Sequence, residues 1–434
     1  MPLMRRLLLM LMGLLLAGSI GWSSVHRPEQ VTILMPAPFV DATADQVKRF
    51  NAENNGRIAL NVIRGPRDTE SISDLAISSL LLGTPPFDAL LVDVTWLPKY
   101  VAADWLQPLD PWFDSDDIES LVAGAQLGNS VDGALYRWPF GADVGLLYWR
   151  KDLMPEPPQT AEELIQIAQN LRAEGRVKEG FVWQGRQYEG LSCNFVEFLS
   201  AFGGTWLDPE TGQPTFDSEA ARLTAHWMQQ LITQGTSPLA VSNYSEPETL
   251  QAFKSGDAAL MRNWPYAWAE LQSESSAVKG RVGVSTMVAQ PGASPAATLG
   301  SWGFSLLRGS PHQQATAEAI RALTSPDAQR DRFLRQGYTP THAALFHDPE
   351  LLEASPVLPQ LEEALSIAEP RPITPVYAQM SDLLQRQLSG LLTEKRDPDQ
   401  AMDQLQGATL TLLRSAGGVS VSYTHLTLPT SGGV

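Results

Sequence analysis

Residues 253–268 (FKSGDAALMRNWPYAW) hold the side chains whose types and spacing come nearest to doing chemistry. Ser255-Gly256-Asp257 punctuates the chain as a turn, and residues 258–261 have the length of a buried strand. Trp264, Tyr266 and Trp268 then crowd around Pro265, with more ring surface than a strand–helix junction needs. Stacked rings with polar edges suit a flat, amphipathic ligand, apolar on its C–H faces and hydroxylated around its rim. The same rings could equally be core at the start of a helix. A second candidate is Asp93, at the end of the apolar run FDALLVDV (87–94). Ligand sites in open α/β sheets lie beyond the carboxyl ends of strands, where Asp93 falls; its alternative is to cap the helix that follows.

The elements that must position these residues read as α/β. Residues 31–35 (VTILM) form a first buried strand, then a Pro-rich loop (36–39), then a helix opened by Asp41 or Thr43. Residues 58–63 alternate as a second strand and 71–82 as a helix stopped by Gly83-Thr84-Pro85-Pro86. The apolar run 87–94 suits a parallel strand covered on both faces. A second unit is expected to begin near residues 138–148, with a capping box of Thr160 and Glu163 opening its first helix. A later helix after Asp217-Ser218 places Leu223, Trp227 and Leu231 at spacing four, as core. Residues 299–307 are strand-like; helices are expected from Ser310-Pro311, from Ser325-Pro326 to Gly337, over 380–392 and over 398–414. At 434 residues two or more lobes are expected.

Bulk properties narrow the classes. With 31 basic against 48 acidic residues and a net charge of −17, the chain has no basic cluster for nucleic acid. The same charge favours a neutral ligand over an anionic one. Arg5 and Arg6, an apolar run over 7–17 and small residues after it read as an export signal (1–24), with an uncleaved anchor as the alternative. No cysteine stands there for lipid attachment; the one cysteine, Cys193, reads as a buried inert thiol. Residues 419–434 carry no Asp, Glu, Lys or Arg and read as a non-native tail.

Five segments in order make the chain resemble the extracellular solute-binding proteins that feed ATP-binding cassette (ABC) sugar importers, in the maltose-, trehalose- and glucosylglycerol-binding branch. They are 87–109 (FDALLVDVTWLPKYVAADWLQPL), 136–154 (YRWPFGADVGLLYWRKDLM), the aromatic segment 253–268, 299–341 and 369–377 (EPRPITPVY). The resemblance implies a two-lobed type II periplasmic-binding-protein-like fold, each lobe a mixed or parallel sheet flanked by helices. Lobe 1 is expected from 25–137 plus 292–338, and lobe 2 from 138–291 plus 339–418, joined by a hinge. It implies a periplasmic monomer that captures a neutral disaccharide or glycoside and hands it to the permease subunits of an ABC transporter, with no catalytic residue, metal or cofactor.

By position, the resemblance casts Asp93 and Asp143 as hydroxyl acceptors and Arg371 as a planar donor. Trp264, Tyr266 and Trp302 would supply ring faces, and Gly300 and Ser301 small backbone against the ligand. Alternatively Asp143 is a turn residue and Arg371 a surface ion-pair partner. The loop 35–42 departs from the family pattern, being apolar until Asp41 where relatives often carry an acid. A secreted glycoside hydrolase using Asp93 and Asp143 as its carboxylate pair is the other class to weigh. G-x-S-x-G, H-E-x-x-H, P-loop and dinucleotide-binding motifs are missing, and the six histidines are scattered.

Overall fold

The computed structural model describes residues 27–417; the expected export signal and tail lie outside the described residues. Two sheets organise the chain. The first has seven strands. Glu29–Pro36 lies parallel to both Ile58–Gly65 and Ala89–Asp93, and Ala89–Asp93 runs antiparallel to the long strand Ala297–Leu307. That strand also pairs with Trp138–Val144, Leu106–Gln107 and Ala368–Glu369. The expected all-parallel environment of residues 87–94 is therefore met on one edge only, and both edges still bury every residue of Ala89–Asp93. The second sheet has four strands: Val282–Ser285, Leu146–Arg150, Ala258–Asn263 and Glu179–Val182 in that spatial order.

Sheet membership shows where the chain changes sides. The strand Trp138–Val144, expected to open the second lobe, hydrogen-bonds to Ala297–Leu307 in the first sheet, and the next strand, Leu146–Arg150, belongs to the second. Gly145 stands at that passage. A Cβ there would come within 1.5 Å of the Glu197 carboxylate, so only glycine fits. Glu197 is fully buried, pairs with Arg262 (both arms 3.0 Å) and accepts the Thr298 N–H at 3.0 Å, where the chain returns to the first sheet. One buried ion pair thus braces two strand crossings. A third crossing runs through Arg371 to the helix Tyr377–Leu392, which packs on Glu189–Ala201 and Glu219–Thr233.

Local chemistry explains the helix starts, including those that differ from expectation. The helix expected after Asp41 begins at Ala37, with proline in its first turn, where an amide N–H has no partner to lose. Thr160 accepts the Glu163 N–H (3.1 Å), but Glu163 reaches back to the Gln159 N–H (2.8 Å) and not to Thr160. The helix expected at Ser310-Pro311 starts at Gln313. On Glu219–Thr233 the inward stripe is Thr224, Trp227, Met228 and Leu231; Leu223 is 47% exposed, because spacing four drifts off a 3.6-residue turn. Gly337 ends Pro326–Gln336 in the left-handed region at φ 75°. Among the described residues no helix is long and apolar enough to cross a membrane.

Candidate functional site

A cleft of about 700 Å³ opens between the two sheets, within the size range of small-molecule sites. Asp93, Asp143, Trp264, Tyr266, Gly300, Trp302 and Arg371 all line it. The strand Ala297–Leu307 brings four of these seven together through register alone: Gly300 lies opposite Asp143, and Trp302 opposite Asp93 on its other edge. Trp264 and Tyr266 leave the end of Ala258–Asn263 in the second sheet and face them. Trp268, the third ring of that cluster, is packed against the core instead.

The two aspartates have opposite surroundings. Asp93 caps the turn Val94–Trp96, accepting the Thr95 N–H (3.0 Å) and hydroxyl (2.7 Å) on Oδ1. Arg371 Nη2 donates to both its oxygens, at 2.9 and 3.0 Å, while Nη1 donates to Glu189 at 2.6 Å. Arg371 is fully buried and no surface partner. Burial opposes its charge, yet Asp93 and its other neighbours outweigh that and raise its pKa above the usual arginine value. Asp143 lies in a strand and not a turn. Its one partner is the Thr339 hydroxyl at 3.3 Å, and burial pushes its carboxyl up to about 7. It keeps acceptor capacity that Asp93 has spent.

The rings are held from behind. Trp264 lies over the Arg262 guanidinium, 4.0 Å from its carbon to the ring centroid, and its indole N–H donates to Glu246 at 3.2 Å. A Cβ on Gly300 would meet that ring at 2.7 Å, so the glycine makes room for Trp264 before it makes room for any ligand. Trp302 stands between Phe39 and Trp96, with centroids 5.3 and 5.4 Å away. Ser301 is not in the cleft: it is fully buried, accepts from Arg137 at 2.7 Å and donates to the Gly141 carbonyl at 3.2 Å. Its alternation to the opposite face of the strand from Gly300 and Trp302 puts it there. Cys193 is buried, with its thiol pushed up to about 12 by burial.

The cleft also holds Phe39, Arg67, Asp68, Arg186, Tyr188, Glu189 and Tyr338, which sequence reasoning did not name. Most had a signal. Phe39 follows the end of Glu29–Pro36, Arg67 and Asp68 follow Ile58–Gly65, and Arg186 to Glu189 follow Glu179–Val182. The strand-end argument applied to Asp93 applies to each of these. Phe39 occupies the cleft where an acid was expected; Asp41 instead pairs at the surface with Arg64 at 2.6 Å.

Two α/β bodies with three chain passages and a ring-lined polar cleft between them define a hinged ligand-binding protein. Comparisons agree. Residues 36–330 match the bacterial extracellular solute-binding protein family. A probable ABC transporter-binding protein of Deinococcus radiodurans is 31% identical over 405 residues, covering 90% of this chain and 95% of that one. The maltose-bound structure of T. maritima MalE3 has 32% identity and a TM-score of 0.82, covering 88% of this chain and all of that one. A solute-binding protein of Agrobacterium radiobacter K84, in complex with ribitol, has a TM-score of 0.80 at 22% identity, covering 89% and 99%. The chain belongs to the bacterial extracellular solute-binding proteins, and its fold is the two-lobed type II fold of that family.

Proposed function

We propose that this chain is the substrate-binding component of an ABC-type sugar importer and that its cleft takes a neutral disaccharide or glycoside of the maltose, trehalose, sucrose or glucosylglycerol type. The observation that carries the proposal is the facing of rings from both sheets, Trp264 and Tyr266 against Trp302, around the under-used carboxyl of Asp143. Ring faces take the C–H surfaces of a sugar, and Asp143 takes its hydroxyls in charge-assisted hydrogen bonds. The 32% identity to a maltose-bound protein supports this class, as does the similarity to a protein named maltotriose-binding in Pyrococcus abyssi, while a relative named mannitol-binding in Pseudomonas aeruginosa supports the coarser class of neutral polyhydroxylated ligands. The moving bodies are the two sheet systems, hinged at Gly145, at the return near Thr298 and at the segment of Arg371. The exported monomer closes on its ligand because the ligand favours the closed form, and the closed form docks on the permease.

A hydrolase would draw on the raised pKa of Asp143, which suits a general acid. Its partner is ill-placed for the work, since Arg371 and Thr95 already occupy both oxygens of Asp93. Thermal unfolding against a panel of neutral disaccharides, glycosides and polyols tests the proposal. A ligand that binds only the folded chain raises the midpoint with concentration. A shift with sugar recovered intact supports capture. Recovery of cleaved sugar would favour the hydrolase, and no shift with any of them would overturn the sugar reading.

A further inference from the structure

At the rim of the cleft the two bodies touch through side chains as well as through the chain passages. The helix Thr69–Leu81 packs on the first sheet through Ile72, Ala76 and Leu80. Asp68 caps it, accepting the Ser71 N–H at 2.9 Å, and so fixes the turn from which Glu70 extends. The Glu70 carboxylate crosses to the other body and accepts the Glu189 N–H at 2.7 Å. Glu189 opens the helix Glu189–Ala201, which follows a strand of the second sheet and pairs with that sheet through Glu197 and Arg262. Its own N-cap residue, Tyr188, supplies no side-chain hydrogen bond. First-turn amides have no partner inside their helix, so a carboxylate that reaches one acts as a cap and meets the positive end of the helix dipole. Glu70 thus caps a helix of the opposite body.

The receiving amide is held in place, because the Glu189 carboxylate accepts from Arg371 at 2.6 Å and from Ser381 at 2.7 Å. Elsewhere on the rim the two bodies meet by close approach of their backbones. A Cβ on Gly337, at the end of Pro326–Gln336, would lie 3.0 Å from the Ala269 Cβ and 3.7 Å from the Tyr266 Cα. Gly337 limits how far the bodies close, and Glu70 ties them once closed. Glu70 is exposed, so its carboxylate returns to water at little cost when the bodies part. That gives the tie the modest strength that a protein releasing its cargo requires.

We propose that Glu70 is a positioning residue for capture: by capping Glu189–Ala201 from the opposite body it holds the closed form and sets how long the cargo stays. Glu70 does not itself line the main cleft. The proposal rests on the two-lobed hinge and not on which solute binds. Spin labels on Asn55→Cys and Asn170→Cys, exposed positions of the first and second bodies, report the closed-to-open ratio of the full exported chain, free and with maltose. The buried Cys193 thiol stays unlabelled. Stopped-flow tryptophan fluorescence reports maltose release. Glu70→Ala is expected to lower the ratio about five-fold, the scale of one lost cap, and to speed release by the same factor. Association rate and urea midpoint stay as in wild type. Glu70→Gln, which keeps an acceptor oxygen, restores most of both. An alanine variant with the wild-type ratio and release, one that changes only the urea midpoint, or a glutamine variant as defective as alanine overturns the proposal. So does a wild type that stays fully open with and without maltose. If wild type binds no maltose while Glu70→Ala still lowers the ligand-free ratio, maltose is the wrong cargo and the tie stands.

Discussion

Asp93 and Asp143 sit across one strand from each other, on either edge of Ala297–Leu307, and they have been put to different uses. Asp93 receives both prongs of its interaction from Arg371 and two more hydrogen bonds from Thr95. Its charge is matched inside the protein, and through Arg371 it reaches Glu189 on the other side of the cleft. Tyr377 and Ser381 donate to that same glutamate. Asp143 has one long contact and a carboxyl about half ionised at pH 7. Two acids that look alike in the chain therefore divide the labour: one ties the walls of the cleft together, and the other waits for a donor from outside.

The largest effect expected from this division is at Arg371. Arg371→Met leaves Asp93 and Glu189 buried without their counter-charge and costs about 3–5 kcal/mol, read by urea unfolding, with loss of sugar binding. A loss under about 1 kcal/mol would break the contrast. Next come the rings. Trp264→Ala removes a facing ring and weakens binding about 100-fold, with little change in unfolding. Trp302→Ala does the same to binding and also destabilises by about 3–5 kcal/mol, because its ring is wedged between Phe39 and Trp96.

Asp143 sharpens the contrast through pH. Its folded pKa, about 7, lies above the ordinary carboxyl value, so the folded state holds the proton more tightly than the unfolded one. Its contribution to stability is full below the unfolded value and is lost as pH rises through about 7. Sugar hydroxyls favour the ionised form, so affinity runs the other way, falling by up to about ten-fold per pH unit below 7. Calorimetry in buffers of different ionisation heat reads the released proton, and Asp143→Asn flattens both dependences. The smallest effect is at Ser301: Ser301→Ala costs about 1 kcal/mol through its bonds to Arg137 and Gly141 and leaves affinity unchanged.

Much of this was legible in the chain, for reasons that also mark where legibility stopped. Strand ends and apolar runs are local, so Asp93, the 258–263 strand and the rings behind it could be read directly. Six of the seven residues named as ligand-binding meet in one cleft, with Gly300 beside them. Ser301 fell on the wrong face because a one-residue step along a strand reverses the side chain. Arg371 was open to a surface role because nothing in EPRPITPVY reveals that its partners lie 278 and 182 residues away. The strand at 138 was assigned to the wrong sheet for a similar reason: its partners run from Phe304 opposite Trp138 to Leu299 opposite Val144, and pairing that distant has no local signature.

The central claim is that the cleft between the sheets captures an intact sugar on facing rings. Its most direct test is calorimetric titration of wild type and Trp264→Ala with the sugar that gives the largest thermal shift, followed by chromatography of the recovered ligand. One binding site in wild type, its loss in the variant and recovery of unaltered sugar are predicted. Identical titrations for the two proteins, or recovery of hydrolysed sugar, would contradict the account.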